Sequence, residues 1–446
     1  MKSFTKPVLF AAIAIFSSSL AFAQDVEISG QFRPRYEMRN GYSTLIPEGE
    51  LPANFISQRT RLNFKYSSEI FKIGFSLQNV GVWGETGTLT QSSVNGTMLH
   101  EAWGQVFMGE KVSLKVGRQE IIYDDHRILG SVDWAQQGRQ HDAAIIMIQP
   151  KEECHIHLGF AYNALKETVF KDYYTINNYK AMQFAHWNRK FNKFGVSLLV
   201  LNNGVSYRSF NDTTSSGKVK EKIAYGQTMG TRLSYGNDKV KANAAFYYQM
   251  GNLAADTTND GLNESTKKAS AMYFAADVDF ALGAMFTLGA GFEYLSGNSM
   301  KDPSDKDQAF KPLYGTNHKF NGFMDYFYVG NFMNSVGLID IFIPFKFKKE
   351  KYSAAVIPHF FSSAAQVYGV DSNGSMKDYN SMLGTEVDLV FAYAIAKSVT
   401  LSAGYSHIIA SESMEVVKSQ PNPGSVQNWA WVMVDIKPTF FKTKKD

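Results

Sequence analysis

The chain has 446 residues, of which 44% are hydrophobic and 14% aromatic, and its 45 Lys and Arg residues nearly balance its 41 Asp and Glu residues. A nucleic-acid-binding protein would concentrate a basic excess on one face, so this balance argues against that class. The single cysteine, Cys154, excludes a disulfide framework as the source of stability.

The first segment has the three parts of a secretory signal peptide. Two lysines come first, residues 7–16 form a short apolar run, and an Ala-Phe-Ala sequence at 21–23 provides a cleavage site. The apolar run is too short to span a bilayer, and no later stretch of about 18 apolar residues could form a spanning helix. We therefore predict that residues 1–23 are a signal peptide and that residues 24–446 form one domain.

Residues 26–39 show the clearest strand pattern. Apolar and polar side chains alternate over seven consecutive pairs, which places the two sets on opposite faces of a strand. The same pattern predicts seventeen further strands at 58–66, 71–80, 98–108, 112–120, 139–149, 154–163, 181–190, 194–202, 226–236, 240–250, 271–280, 284–295, 335–347, 351–362, 383–395, 399–409 and 427–437. Strands of roughly 9–14 residues suit a tilted crossing of a bilayer, whereas soluble strands have a mode of about 5–6.

The connections between these strands alternate in length. Tight turns are followed by long polar segments, which we expect at 40–57, 81–97, 121–138, 164–180, 203–225, 251–269, 296–334, 363–381 and 410–426. Outer-membrane barrels have short periplasmic turns and long external loops. The sequence therefore predicts an all-β protein: a transmembrane up-and-down antiparallel β-barrel of about 18 strands, in the bacterial outer membrane and in contact with its lipid.

A dense run of motifs lies at 117–142. It contains Gly-Arg-Gln, then Tyr-x-Asp-x-Arg-x-x-Gly from position 123, Asp-Trp at 133–134, and Gly-Arg-x-x-Asp ending at position 142. With a Gly-Thr-Asn-His segment from position 315 and Arg-Thr-Arg at 59–61, it resembles the signature of the alginate-export family of outer-membrane porins. The resemblance implies an 18-stranded monomeric barrel that passes an anionic polysaccharide through an arginine-rich constriction.

The arginines, however, occupy only one part of the chain. Eight of the eleven lie within the first 139 residues, and none follows Arg232. The inward positions of the late strands carry acidic residues instead: Asp277, Asp279, Glu293, Glu386 and Asp388. The barrel interpretation is unaffected by this asymmetry, but alginate does not follow as the cargo.

Two sets of candidate site residues emerge. The first is expected in the lumen and comprises Arg33, Arg35, Arg59, Arg61, Lys65, Arg118 and Arg139. The first four of these lie on adjacent strands and would form either a constriction that shapes permeation or structural ion pairs that fill the lumen. Arg118 has the parity of the lipid face, so its inward position requires a bulge at Gly117.

The second set is expected to form a network of charged and aromatic groups at the mouth, in a loop folded inward. It comprises Glu120, Asp124, Asp125, Arg127, Asp133, Trp134 and Asp142. These residues would either hold the loop in place or contact the solute. His155 and His157 are expected to line the lumen.

We therefore expect a passive outer-membrane channel for small anionic or oligosaccharide solutes, acting as a monomer and without enzymatic activity, cofactor, metal or nucleic-acid partner. Two alternatives remain open. One is a non-conducting adhesion or scaffold barrel. The other is an outer-membrane protease or phospholipase that uses Asp125 and His126, although catalysis requires these groups to meet in space around a nucleophile or water.

Overall fold

A computed structural model describes residues 25–89, 96–171, 173–176, 178–213, 219–256, 263–327, 335–371 and 373–443. The predicted signal peptide lies outside these ranges. In the described residues, eighteen strands form one closed antiparallel sheet, in which each strand pairs with its neighbours in the chain and the last strand pairs with the first. The predicted up-and-down barrel is confirmed.

The wall strands, numbered in chain order, have the following bounds: β1 Asp25–Asn40, β2 Ala53–Ser67, β3 Phe71–Val82, β4 Met98–Phe107, β5 Val112–Gln119, β6 His141–Lys151, β7 Cys154–Tyr162, β8 Ala181–Phe191, β9 Phe194–Thr213, β10 Val219–Gly236, β11 Val240–Ala255, β12 Ser265–Leu282, β13 Phe286–Leu295, β14 Leu338–Phe342 with Phe345–Lys349, β15 Tyr352–Ser362, β16 Met382–Ala396, β17 Val399–Ala410, and β18 Gln427–Ile436 with Thr439–Lys442. No helix in the described ranges is long and apolar enough to cross a bilayer.

Two wall strands, β14 and β18, are each interrupted by a proline. Pro344 and Pro438 have no N–H and cannot donate to the neighbouring strand. Their carbonyl groups still continue the ladder: that of Pro344 accepts from the amide of Gly289 at 2.8 Å, and that of Pro438 from Gly30 at 2.9 Å. Each pair of segments therefore acts as one wall strand.

The two faces of β1 have the separation that the sequence predicts. Gln31, Arg33 and Arg35 are buried on the lumen side, whereas Phe32 and Tyr36 on the other side are 40% and 42% exposed. Other strands place large apolar side chains on the same outer surface, including Leu62, Phe75, Leu198, Phe246, Phe274, Leu389 and Phe391. Lipid is the solvent that such a continuous apolar exterior requires, so the barrel is of the outer-membrane type.

The predicted alternation of long and short connections is found, but several strands extend into segments that were predicted to be loops. β2 begins at Ala53, inside 40–57, and within 251–269 β11 continues to Ala255 and β12 begins at Ser265. The segment 203–225 was expected to be a loop, but β9 continues to Thr213 and β10 begins at Val219. Pairs such as Ser206 with Ile223 extend the ladder beyond the predicted strand ends. The polar composition of this hairpin obscured its strand pattern.

Three of the other long connections, 296–334, 363–381 and 410–426, carry small elements of their own. Helix α1, Glu412–Val417, is capped at its N-terminus by Ser411, whose hydroxyl accepts from the amide of Met414. A short hairpin pairs Tyr368–Val370 with Met376–Asp378, and a 3-10 turn covers Asn317–Lys319.

Candidate functional site

Two loops fold into the barrel and meet in its lumen. Loop A comprises residues 120–140, between β5 and β6, and loop B comprises residues 312–327, between β13 and β14. The amide of Gly130 donates to the carbonyl of Tyr314 at 2.9 Å, and Trp134 stacks on His318 with 4.6 Å between ring centroids. Loops A and B therefore form one partition across part of the lumen.

Loop A is held by arginines from β1 and β2. Arg33 donates to the carbonyl of Asp133 at 2.8 Å, and Arg35 donates to that of Trp134 at 2.7 Å. Arg59 donates to the Asp133 carboxylate at 2.7 Å. These three arginines are 3%, 4% and 0% exposed, respectively. Their donors are engaged by loop A, so these contacts favour a structural role for the three arginines over the alternative of a constriction that shapes permeation.

Asp133 connects two of these arginines. Burial acts to raise the pKa of its carboxyl group, but the positive charges of Arg59 and Arg33 outweigh this effect and lower the pKa below its usual value. Asp133 is therefore a carboxylate at neutral pH and remains available to both guanidinium groups. Gln136 adds a further contact because its side-chain oxygen accepts from Nε of Arg33 at 3.1 Å.

A buried carboxylate organises the outer end of the same wall. Glu37 accepts from Arg35 at 2.9 Å, from Arg39 at 2.9 and 3.0 Å, and from the indole N–H of Trp429 at 3.1 Å. Glu37 is fully buried, whereas the side chain of Arg39 is 35% exposed. Arg39 is therefore the member of this cluster that a solute in the lumen can reach.

Loop B is held by hydrogen-bond acceptors on the late strands, whereas loop A is held by arginine donors on the early strands. The Glu386 carboxyl group accepts from the backbone amide of Met324 at 2.8 Å, and Asp388 accepts from that of Phe323 at 3.2 Å. Glu293 accepts from the side-chain amide of Asn321 at 2.8 Å. Three of the five acidic inward positions named from the sequence, Glu293, Glu386 and Asp388, thus hold a loop, whereas Asp277 and Asp279 accept from Asn243 and Lys346 of the wall.

One residue of loop A also reaches the acidic wall. Arg127 is almost fully buried and donates to Glu293 and to Asn321, both at 2.9 Å. Its guanidinium group also lies 4.5 Å from the ring of Phe320. Arg127 therefore joins loop A, loop B and β13 in one buried cluster.

The remaining mouth residues make separate contacts around the loops. Asp125 accepts from Arg232 at 3.2 Å, Asp124 lies 3.4 Å from the ring nitrogen of His186, and Glu120 lies 3.0 Å from that of His100. Arg139 donates to the carbonyl of Gly315 at 2.9 Å. These four residues all belong to loop A, but each contacts a different partner: His100 on β4, His186 on β8, Arg232 on β10 and Gly315 in loop B.

Arg61 and Lys65 lie on β2, closer to the short turns than Arg59. Arg61 donates to the side-chain oxygen of Gln78 at 2.6 Å and lies 3.8 Å from Glu120. Lys65 shares the lumen-facing parity of Arg59 and Arg61 and is exposed. Nδ1 of His157 and the hydroxyl of Tyr123 form a hydrogen bond of 2.9 Å, in keeping with the expected lumen position of His157.

Arg118 and Asp142 lie on the outer face of the wall, contrary to the expected inward position. The register across β4, β5 and β6 is continuous at Gly117, so no bulge turns the strand. Neighbouring Gln119 is fully buried on the lumen side, and Arg118 points the other way. There it binds Asp142 through two hydrogen bonds of 2.9 Å each.

A cavity adjoins the partition on each side. The outer cavity, on the side of the long loops, has a volume of about 400 Å³ and is lined by residues that include Arg39, Tyr42, Phe55, Trp134 and His318. The inner cavity, toward the short turns, has about 240 Å³ and is lined by residues that include Tyr273, Asp277, Phe342 and Lys346. Within the described ranges, no group of three or more His, Cys, Asp or Glu residues is arranged to hold a metal ion.

Sequence reasoning did not select Glu37, Tyr42 or Phe55 as site residues. Glu37 has the same lumen-facing parity on β1 as Arg33 and Arg35, and this parity is the sequence feature that could have identified it as a site residue. Tyr42 and Phe55 both lie within the predicted long loop 40–57, so no alternating strand pattern was used to assign them a face; in the structure Phe55 belongs to β2. Phe55 reaches the outer cavity because it pairs with Glu37 across β1 and β2, whereas the place of Tyr42 depends on the path of the loop after β1.

No protein-family model matches this chain, and neither does any curated protein. Solved structures do match it over nearly their whole length. Acinetobacter baumannii OccAB1 has a TM-score of 0.60 at 11% identity, covering 93% of this chain and 97% of its own. Pseudomonas aeruginosa OpdO has a TM-score of 0.58 at 13% identity, covering 94% and 98%. The outer membrane protein opdK of Pseudomonas aeruginosa gives 0.57 at 9% identity, covering 93% and 99%. At these identities the likeness shows the fold: this chain has the barrel architecture of these bacterial proteins.

Proposed function

We propose that the protein is a passive outer-membrane channel for small anionic or oligosaccharide solutes, acting as a monomer. The observation that carries the proposal is the partition formed by loops A and B, with a cavity on each side of it. A barrel that only anchored an external surface would not need a chemically specific constriction inside its lumen. Pores select solutes by the groups that line such constrictions.

The motif at 117–142 suggests an anionic polymer as cargo, by its resemblance to the alginate-export porins. The contacts of the arginines support a smaller solute. Arg33, Arg35 and Arg59 donate to loop A and are almost fully buried. A polyanion would need several accessible guanidinium groups along one path, because each uronate carboxylate requires its own donors.

Planar-bilayer recordings on the refolded protein test the channel proposal. We expect stepwise conductance from the native chain and larger steps after deletion of residues 121–138, since this deletion removes most of loop A. Absence of stepwise conductance from both proteins would refute a channel. A silent native chain with a conducting deletion variant would identify a barrel closed by its own loops.

A further inference from the structure

The outer cavity is the part of the lumen that an arriving solute meets before the partition. Its volume of about 400 Å³ falls within the usual range of small-molecule sites. Its lining combines ring-bearing side chains with charged ones, and Arg39 is partly exposed there. What it binds depends on whether those charges are free or already paired.

The positive charges in the outer cavity are already neutralised. Arg35 and Arg39 both bind the carboxylate of Glu37, at 2.8 and 2.9 Å. Asp325, which lies 2.9 Å from His318, and Glu85 add negative charge to the lining. The cavity therefore has no positive surplus. An anion entering it would lose hydration without gaining an unpaired cation, which is unfavourable.

The flat rings beside Arg39 supply an apolar surface. The guanidinium group of Arg39 lies 4.1 Å from the centroid of Tyr42 and 4.8 Å from that of Phe55. Nε and Nη2 of Arg39 bind Glu37. In the described part of the chain, Nη1 of Arg39 donates to no protein acceptor, so it is available to a solute. Glu37 and the rings fix the orientation of this donor.

We propose that the outer cavity is a binding subsite for a neutral saccharide ring. A sugar presents an apolar face suited to Phe55 and hydroxyl groups suited to the free donor of Arg39 and to the exposed amide of Gln137. It brings no charge that would need a counter-ion. This inference rests on the proposed channel function and selects the saccharide branch of it over the anionic branch.

The test compares glucose with glucuronate, which have the same ring and differ in charge at one carbon. Each is added at equal ionic strength to the side of the long loops while ion current is recorded through single channels. We expect glucose to reduce the current in a saturating manner, and glucuronate to need a concentration at least several-fold higher. Glucuronate acting at the lower concentration, or absence of an effect from glucose on a conducting channel, would overturn the subsite.

Two substitutions then locate the effect. Arg39→Gln and Phe55→Ala should each raise the half-blocking concentration of glucose about fivefold, the effect expected from losing one hydrogen bond or ring contact. Arg118→Gln is the matched control, because it removes a guanidinium group from the outer face of the same barrel. Equal shifts in all three variants would overturn the assignment to the outer cavity.

Titration calorimetry with glucose on the detergent-solubilised protein separates this inference from the channel proposal. Glucose binding that is weakened by Phe55→Ala, in a protein without conductance, would support the subsite and refute the channel. Conductance without glucose binding would support the channel and refute the subsite. A protein that neither conducts nor binds glucose would refute both.

Discussion

Arg59→Met tests whether the arginine wall holds loop A. Arg59 is fully buried, and its Nη2 donates to the Asp133 carboxylate at 2.7 Å, whereas its contact with the carbonyl of Gln136 is longer, at 3.4 Å. Methionine keeps most of the aliphatic stem and removes the charge. The substitution should therefore weaken docking of the loop while leaving the packing of β2 almost unchanged.

The expected magnitude follows from that one strong contact. A hydrogen bond between charged groups contributes roughly 1.5–3 kcal/mol. Because the side chain of Asp133 is 52% exposed, solvent screening places the loss near the lower end, at about 1.5 kcal/mol. That free energy corresponds to about a tenfold rise in the population of undocked loop A. Arg33 and Arg35 remain in place, so the loop should open transiently rather than permanently.

Single-channel recordings measure this population as the fraction of time spent in a larger conductance state. The control is Arg118→Met, which removes an arginine from the outer face. A double-mutant cycle with Asp133→Asn should show that the two substitutions are not additive, because they remove the same contact. The reasoning would be refuted if Arg59→Met left the conductance states unchanged, or if its effect added fully to that of Asp133→Asn.

Three further predictions concern other parts of the structure. Glu386→Leu should speed hydrogen exchange at the Met324 amide by roughly tenfold or more, whereas Glu386→Gln retains an acceptor and should have a smaller effect; equal rates in both variants would exclude the carboxyl group as the anchor. Burial lowers the pKa of Lys418 to about 7 from 10.5. Between these two pH values the folded state binds fewer protons than the unfolded state, so the free energy of unfolding should rise as the pH increases from 7 to 10.5. Thermal unfolding of Lys418→Met should not show this rise. Gly117→Ala should lower the yield of folded barrel on a gel-mobility assay, because Gly117 has a φ of 122° and a Cβ would clash with the carbonyl of Ala102; unchanged yield would refute the clash.

The wall of the barrel was predictable because lipid and lumen impose a period of two on every strand. In β1, the alternation of Arg33 and Arg35 with Phe32 and Tyr36 gave both the strand and its two faces. The strand number followed from repetition of this pattern. The breaks in β14 and β18 were not predicted, although Pro344 lies inside the expected strand 335–347 and Pro438 directly follows the expected strand 427–437.

The partition was less predictable, since its anchors are mostly backbone groups. Arg33 and Arg35 bind carbonyl oxygens of loop A, and Glu386 binds an amide of loop B. Every residue carries such groups, so the sequence does not mark which of them are used. Arg118 was mispredicted for a different reason. The period of two along β5 places Arg118 on the outer face, as the structure does, but the prediction set this pattern aside by assuming a bulge at Gly117 that is absent from the register of β5 and β6.

The two inward loops are bound by opposite chemistry, with donors on the early wall and acceptors on the late wall. Most of these bonds end on the peptide backbone, which is the same for any sequence. Many side chains of loops A and B can therefore change without loss of the docking contacts, provided that the loop path is kept. The same barrel wall can thus hold inward loops of different sequence. Transplanting such loops between barrels of this architecture is a direct route to new permeation properties.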